Sequence, residues 1–133
     1  MTSEAETIVR AFFDLGAADD FEGMRAYLDP DAVWYGTRGG LDQDQVIRGP
    51  DAWIEYVREV QAPWDRFEVE VEELLQAGDM VVALLLESAH ARHGDLDVQN
   101  QTAVNIKVRQ GKIVECRGYL DRDEALRAAG LTE

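Results

Sequence analysis

The sequence predicts an α+β fold, in which helices segregate from a curved antiparallel sheet. Three observations carry that expectation. Apolar residues recur at helical spacing in three segments up to Val60, then with a period of two from Phe67 onward. Glycine or proline marks the boundaries between these segments. The closing stretch RQGKIVECRGYLDRDEALRAAGL, Arg109 to Leu131, reads as strand, turn at Gln110-Gly111, strand, and then a capped helix ended by Gly130.

Each element follows from local chemistry. Ser3 followed by Glu6 is a capping box, and Ile8, Val9, Phe12 and Phe13 form the apolar stripe of a first helix ending near Gly16. A second, shorter helix begins at Asp19 or Asp20, carries Phe21, Met24, Tyr27 and Leu28, and stops at Asp29-Pro30. A short strand covers Ala32 to Gly36. The stretch GTRGGLDQD is glycine-rich and polar, which predicts a mobile loop, and Val46-Ile47 adds a brief edge strand. Gly49-Pro50 opens a third helix with Trp53, Ile54, Val57 and Val60 on one face. Phe67, Val69 and Val71 then alternate with Glu68, Glu70 and Glu72, the pattern of a half-buried strand. Gly78-Asp79 makes a tight turn. MVVALLL is apolar on both faces, so its strand is central or lies in an interface. Val98 to Arg109 alternates again before the closing hairpin.

Composition limits what such a chain does. Its 133 residues suit a single domain, 1–133, and 46% hydrophobic content allows a real core. A net charge of −14 repels phosphate backbones and anionic lipids, which disfavours nucleic acid or a membrane surface as partner. Cys116 is the single cysteine, so no intrachain disulfide forms. Two histidines without paired Cys/His spacing argue against a structural zinc site, and no metal or other cofactor is expected. MTSEAETIVR lacks the basic and apolar regions of a signal peptide, and no apolar run approaches the ~20 residues of a membrane span. The expectation is a cytoplasmic protein.

The element order, with the words YLDPDAVWY, RGPDAWIEYV, EELLQAGDMVVALL and GKIVECRGYLDRDEALRAAGL, resembles the nuclear transport factor 2-like superfamily and its SnoaL-like members. The resemblance covers nearly the whole chain. It implies a cone, with the sheet wrapped around the N-terminal helices and enclosing a deep apolar cavity. It also implies a homodimer through the outer sheet face. Members include ketosteroid isomerases, polyketide cyclases, epoxide hydrolases, dehydratases and binding modules, so fold does not settle function.

Register predicts which side chains enter the cone. A two-residue loop at Gly78-Asp79 sets Val71 opposite Leu86, Val69 opposite Ser88 and Phe67 opposite His90, which turns Leu84, Leu86, Ser88 and His90 inward. Glu87 and the apolar Val81, Ala83 and Leu85 then fall on the outer face. A three-residue loop with Gly111 at a bulge sets Val104 opposite Cys116, Thr102 opposite Gly118 and Asn100 opposite Leu120, all inward. Trp34, Trp53, Tyr56 and Phe12 line the cavity or its mouth, with Ser88, Thr102 and Cys116 as further ligand-binding candidates. An apolar space with a few polar groups suits a small hydrophobic molecule.

On this register His90 is the general base, since an imidazole with a pKa of ~6.5 suits proton transfer near neutrality. Asn100 is the hydrogen-bond donor to a carbonyl or enolate oxygen. Set against these roles, His90 at a solvated strand end does nothing, and Asn100 simply satisfies backbone or water. Asp121 with Glu124 is explained as the cap of the last helix. The catalytic sets of the relatives are incomplete. The isomerase tyrosine falls on Phe12 and its aspartate on Gly36, the cyclase acid falls on Gly118, and no inward Arg-x-Asp is found. The sequence therefore supports an acid–base isomerase, cyclase or dehydratase, a non-catalytic ligand-binding module, or a homodimeric interaction protein.

Overall fold

Each helix begins where the sequence supplies a capping side chain or a proline. The computed structural model describes residues 3–131. Ser3 Oγ accepts from the Glu6 amide at 3.1 Å and starts α1 (Glu4–Ala17), which buries Ile8, Val9 and Phe12. Asp20 caps α2 (Phe21–Arg25) by accepting from the Gly23 amide at 2.9 Å, and α2 buries Met24. Pro50 opens α3 (Pro50–Gln61), which buries Trp53 and Ile54. Arg25 pairs with Asp51 and ties α2 to α3. No described helix is long and apolar enough to cross a membrane.

Six strands form one sheet in the order β2-β1-β6-β5-β4-β3. They are β1 (Leu28–Arg38), β2 (Val46–Arg48), β3 (Trp64–Ala77), β4 (Met80–Ala91), β5 (Asp97–Arg109) and β6 (Lys112–Tyr119). The sheet is curved and open, with α1 against β3 and α3 against β1. One pair departs from the expected antiparallel pattern, since β1 runs parallel to β6. A parallel pair needs a long crossover, and the chain between Arg38 and Lys112 supplies it. β1 is also longer than the expected Ala32–Gly36. It runs through Pro30, where pairing with β6 shifts register between Leu28 and Val33, the kind of irregularity that accommodates a missing amide.

One bulge overturns the expected facing of β4. The β3–β4 hairpin begins as expected, with Ala77 opposite Met80 and Leu74 opposite Ala83. Between Val71 and Glu73 the register shifts by one, leaving Glu72 as an extra residue. Beyond it Val71 opposes Leu85, Val69 opposes Glu87 and Phe67 opposes Ala89. A slip of one residue exchanges the two faces. Val81, Ala83 and Leu85 therefore belong to the inner core with Val9, Ile54 and Ile106, and are not an outer interaction surface. Leu84, Leu86, Ser88 and His90 turn outward.

The closing hairpin also differs, with a milder consequence. Gln110 and Gly111 both have positive φ (52° and 78°) and form a two-residue turn between Arg109 and Lys112. A register shift beyond Val108 then sets Ile106 opposite Cys116 and Val104 opposite Gly118. Val104 thus stands two residues from its expected partner Cys116, and an even shift preserves the facing of both strands. Leu120, expected inward, is exposed.

The outer face of the sheet is partly covered by α4 (Arg122–Ala128). Asp121 caps it, accepting from the Asp123 amide at 2.9 Å and the Glu124 amide at 3.4 Å. Ala125 packs with Val82, Ala103 and Tyr119 in a second, smaller core. Asn105 Nδ2 donates to the Ala125 carbonyl at 3.1 Å. β4 is apolar on both faces because each face packs against a different cluster.

Candidate functional site

Helices and sheet enclose an apolar cavity of about 180 Å³. Phe12 and Phe13 of α1, Trp53 and Tyr56 of α3, and Leu85, Val104, Ile106 and Cys116 of the sheet form its walls. The aromatic rings pack edge to face or tilted, with centroids 6.4 Å apart for Phe12–Trp53, 5.9 Å for Trp34–Trp53 and 6.0 Å for Trp34–Tyr56. An adjoining vestibule of about 470 Å³ shares Trp34, Tyr56, Phe67, Glu87 and Val104 with the cavity. Asp42, Glu59, Thr102 and Tyr119 are among its other lining residues.

Two glycines admit this arrangement. A Cβ on Gly36 would collide with the Asp42 carbonyl, so its absence lets the loop between β1 and β2 fold back over β1. That loop is a series of turns, in which the Gly40 amide donates to the Thr37 carbonyl and the Gln45 amide to the Asp42 carbonyl, both at 2.9 Å. A Cβ on Gly118 would stand 2.8 Å from Thr37 Oγ1 and 3.2 Å from Trp34 Cη2. The side chains of Thr37 and Trp34 thus fill the space beside Gly118, the position that the resemblance matched to a cyclase acid.

The carboxyl at the junction of cavity and vestibule is that of Glu87. Burial pushes its carboxyl above the ordinary 4.5. The neighbouring Thr102 hydroxyl partly offsets this, and the Asp42 charge adds to it. The Tyr56 hydroxyl donates to the Asp42 carboxylate, and burial followed by that bond pushes the phenol well above its ordinary 10.0. Tyr56 is thus held protonated as a donor. Trp34 Nε1 and Thr102 Oγ1 are buried without a hydrogen bond of normal geometry. Buried polar atoms normally find partners, so two orphans around one space mark groups free for a ligand. Among the described residues, no cluster of three or more His, Cys, Asp or Glu side chains is placed to hold a metal ion.

The residues singled out from sequence divide between three places. Phe12, Trp34, Trp53, Tyr56 and Cys116 line the cavity, and Thr102 lines the vestibule. Burial raises the Cys116 thiol well above its ordinary range, so it is a small apolar wall group. Ser88 and His90 stand on the outer face. There Gln99 donates to Ser88 Oγ at 3.4 Å, and His90 Nδ1 lies 2.6 Å from Asp97 Oδ1. Asn100 pairs with Glu87 across β4–β5 but is exposed and outside the cavity walls. His90 and Asn100 therefore do not converge on the cavity. Sequence reasoning missed Glu87 and Asp42. The signal for Glu87 was present, because two adjacent glutamates, Glu72 and Glu73, interrupt the alternation between Val71 and Leu74.

Comparison with known proteins agrees with this architecture. No curated protein matches the sequence. Among solved structures, a nuclear transport factor 2-like protein of unknown function from Burkholderia pseudomallei is 22% identical, covering 95% of this chain and 97% of that one, with a TM-score of 0.79. A protein with a ketosteroid isomerase-like fold from Catenulispora acidiphila, in complex with trimethylamine, is 15% identical over 94% of this chain and 93% of its own, with a TM-score of 0.75. An epoxide hydrolase from M. tuberculosis is 26% identical over 96% of this chain and 90% of its own, with a TM-score of 0.73. The SnoaL-like domain family matches residues 9–116, which include every residue of the cavity wall just described, and the chain belongs to the SnoaL-like family.

Proposed function

We propose that this protein is a cofactor-independent enzyme that moves a proton on a small hydrophobic molecule, with Glu87 as general acid–base. The observation that carries this reading is a carboxyl pushed up by burial at the edge of an apolar cavity. A carboxyl raised in this way holds a proton more firmly than a surface glutamate, which suits it to the take-and-return role expected of His90. The buried Trp34 N–H, without a hydrogen-bond partner, suits a substrate oxygen that gains charge as the proton leaves, while the Thr102 hydroxyl steadies the Glu87 carboxylate. Tyr56 is occupied by Asp42 and serves to hold the loop at the vestibule. The neighbours support a small organic molecule as ligand class, one being an epoxide hydrolase and another a trimethylamine complex.

A direct test uses hydrophobic ketones in heavy water, with deuterium uptake next to the carbonyl read by mass spectrometry. Wild type is expected to accelerate uptake, Glu87→Gln to lose about 10²–10⁴-fold of the acceleration, and His90→Ala to retain it. An unchanged rate in Glu87→Gln would remove the assigned role. Ligand-induced thermal stabilisation without exchange would make the cone a binding module.

A further inference from the structure

The two spaces of the cone carry ionisable groups of one sign. Glu87 stands where they meet, Asp42 and Glu59 line the vestibule, and among the described residues no Lys, Arg or His lines either space. An anionic ligand would enter with no charged partner, whereas carboxylates and phosphates are bound by basic groups or free amides. A half-buried carboxylate without a cation beside it carries a desolvation cost that a cationic ligand relieves. Thr102 is 3% exposed, and its unpartnered Oγ1 is available to accept from an N–H. The faces nearby are aromatic, with Trp34 6.0 Å from Tyr56 and 5.9 Å from Trp53 between ring centroids. Aromatic faces attract organic cations through the ring quadrupole. The net charge of −14 draws cations toward the molecule at longer range.

We propose that the ligand is a hydrophobic organic amine bound in its protonated form. Its apolar body fills the inner cavity, and its ammonium lies in the vestibule among Asp42, Glu87 and the aromatic walls. The inference rests on the cone being the functional site and specifies the charge of what it holds. It also implies a pH dependence. A cation beside Glu87 favours the carboxylate form, so binding tightens as pH rises through the range where Glu87 ionises.

Three probes of one shape test this by intrinsic tryptophan fluorescence, since Trp34 and Trp53 line the site. They are phenethyltrimethylammonium, the neutral isostere carrying a tert-butyl group in its place, and the anion phenylbutyrate. Near neutral pH the ammonium should bind about tenfold more tightly than the isostere, and phenylbutyrate should not bind. Asp42→Asn should lose most of the preference for charge while still binding the neutral probe. A neutral or anionic probe that binds as tightly as the ammonium overturns the proposal, as does failure of all three at millimolar concentration. Tight neutral binding alongside Glu87-dependent deuterium uptake would discard the cation and keep the acid–base reading. Cation preference without such uptake would do the reverse.

Discussion

Glu87 is an acid set in an apolar wall, and its environment makes a prediction about stability. Burial raises its carboxyl in the folded state, and the nearby Asp42 charge adds to this. In the unfolded chain the same group ionises near 4.5. Below that pH both states hold the proton, and Glu87 costs nothing. As pH rises through the folded value, the native state is left with a buried charge, so stability is lost with rising pH. Glu87→Gln cannot ionise and escapes that cost. Its melting temperature should match wild type in acid and exceed it near neutrality. A difference that stays constant across the pH range would show that Glu87 is as solvated as a surface glutamate. Cys116 gives a second prediction at this scale. It is 2% exposed, and burial disfavours its thiolate. A disulfide reagent should modify it only as fast as the protein opens, and denaturant should accelerate the reaction steeply. Rapid modification of the native protein would mean that the cavity admits the reagent.

The facing of β4 is decided by one inserted residue, Glu72, and α4 holds that insertion in place. Arg122 pairs with Glu72, donates from Nη2 to the Leu85 carbonyl at 2.7 Å, and donates from Nε to the Thr102 carbonyl at 3.1 Å. Leu85 and Thr102 are themselves partners across β4–β5. One guanidinium thus fastens the bulge, β4, β5 and the last helix. Arg122→Met would strand two carbonyls, at a cost of about 1–3 kcal/mol. The urea midpoint should fall accordingly, and a wild-type midpoint would mean that the carbonyls find other partners. The same element shows what could be read from the sequence. The caps at Ser3, Asp20 and Asp121 are local, and so is the apolar face of α3 that carries Trp53 and Tyr56 toward the cavity. Strand order and the parallel β1–β6 pair depend on contacts far apart in the chain. The bulge lies between. Its trace, the doubled glutamate after Val71, is visible, but a continuous period-two reading passes over it and reverses every later residue of β4. The loop holding Asp42 was legible as glycine-rich. Its return over Gly36 to meet Tyr56 was not, because that contact closes between residues on separate elements.

At the scale of the molecule, the fold separates two tasks. The inner face of the sheet, with α1 and α3, makes the apolar cavity, while α4 closes part of the outer face around Val82 and Tyr119. The ionisable groups follow this division. His90 and its partner Asp97 lie outside, and the carboxyl at the junction of cavity and vestibule is that of Glu87. The proposed proton transfer therefore rests on a side chain whose charge state can be measured directly. The decisive measurement is a pH titration of the glutamate side-chain carboxyls by carbon NMR, with the Glu87 resonance assigned from its loss in Glu87→Gln. The predicted result is a midpoint clearly above 4.5 that moves down when an organic ammonium occupies the vestibule. A midpoint at or below 4.5 would place Glu87 in water and contradict its role as the acid–base group of the cavity.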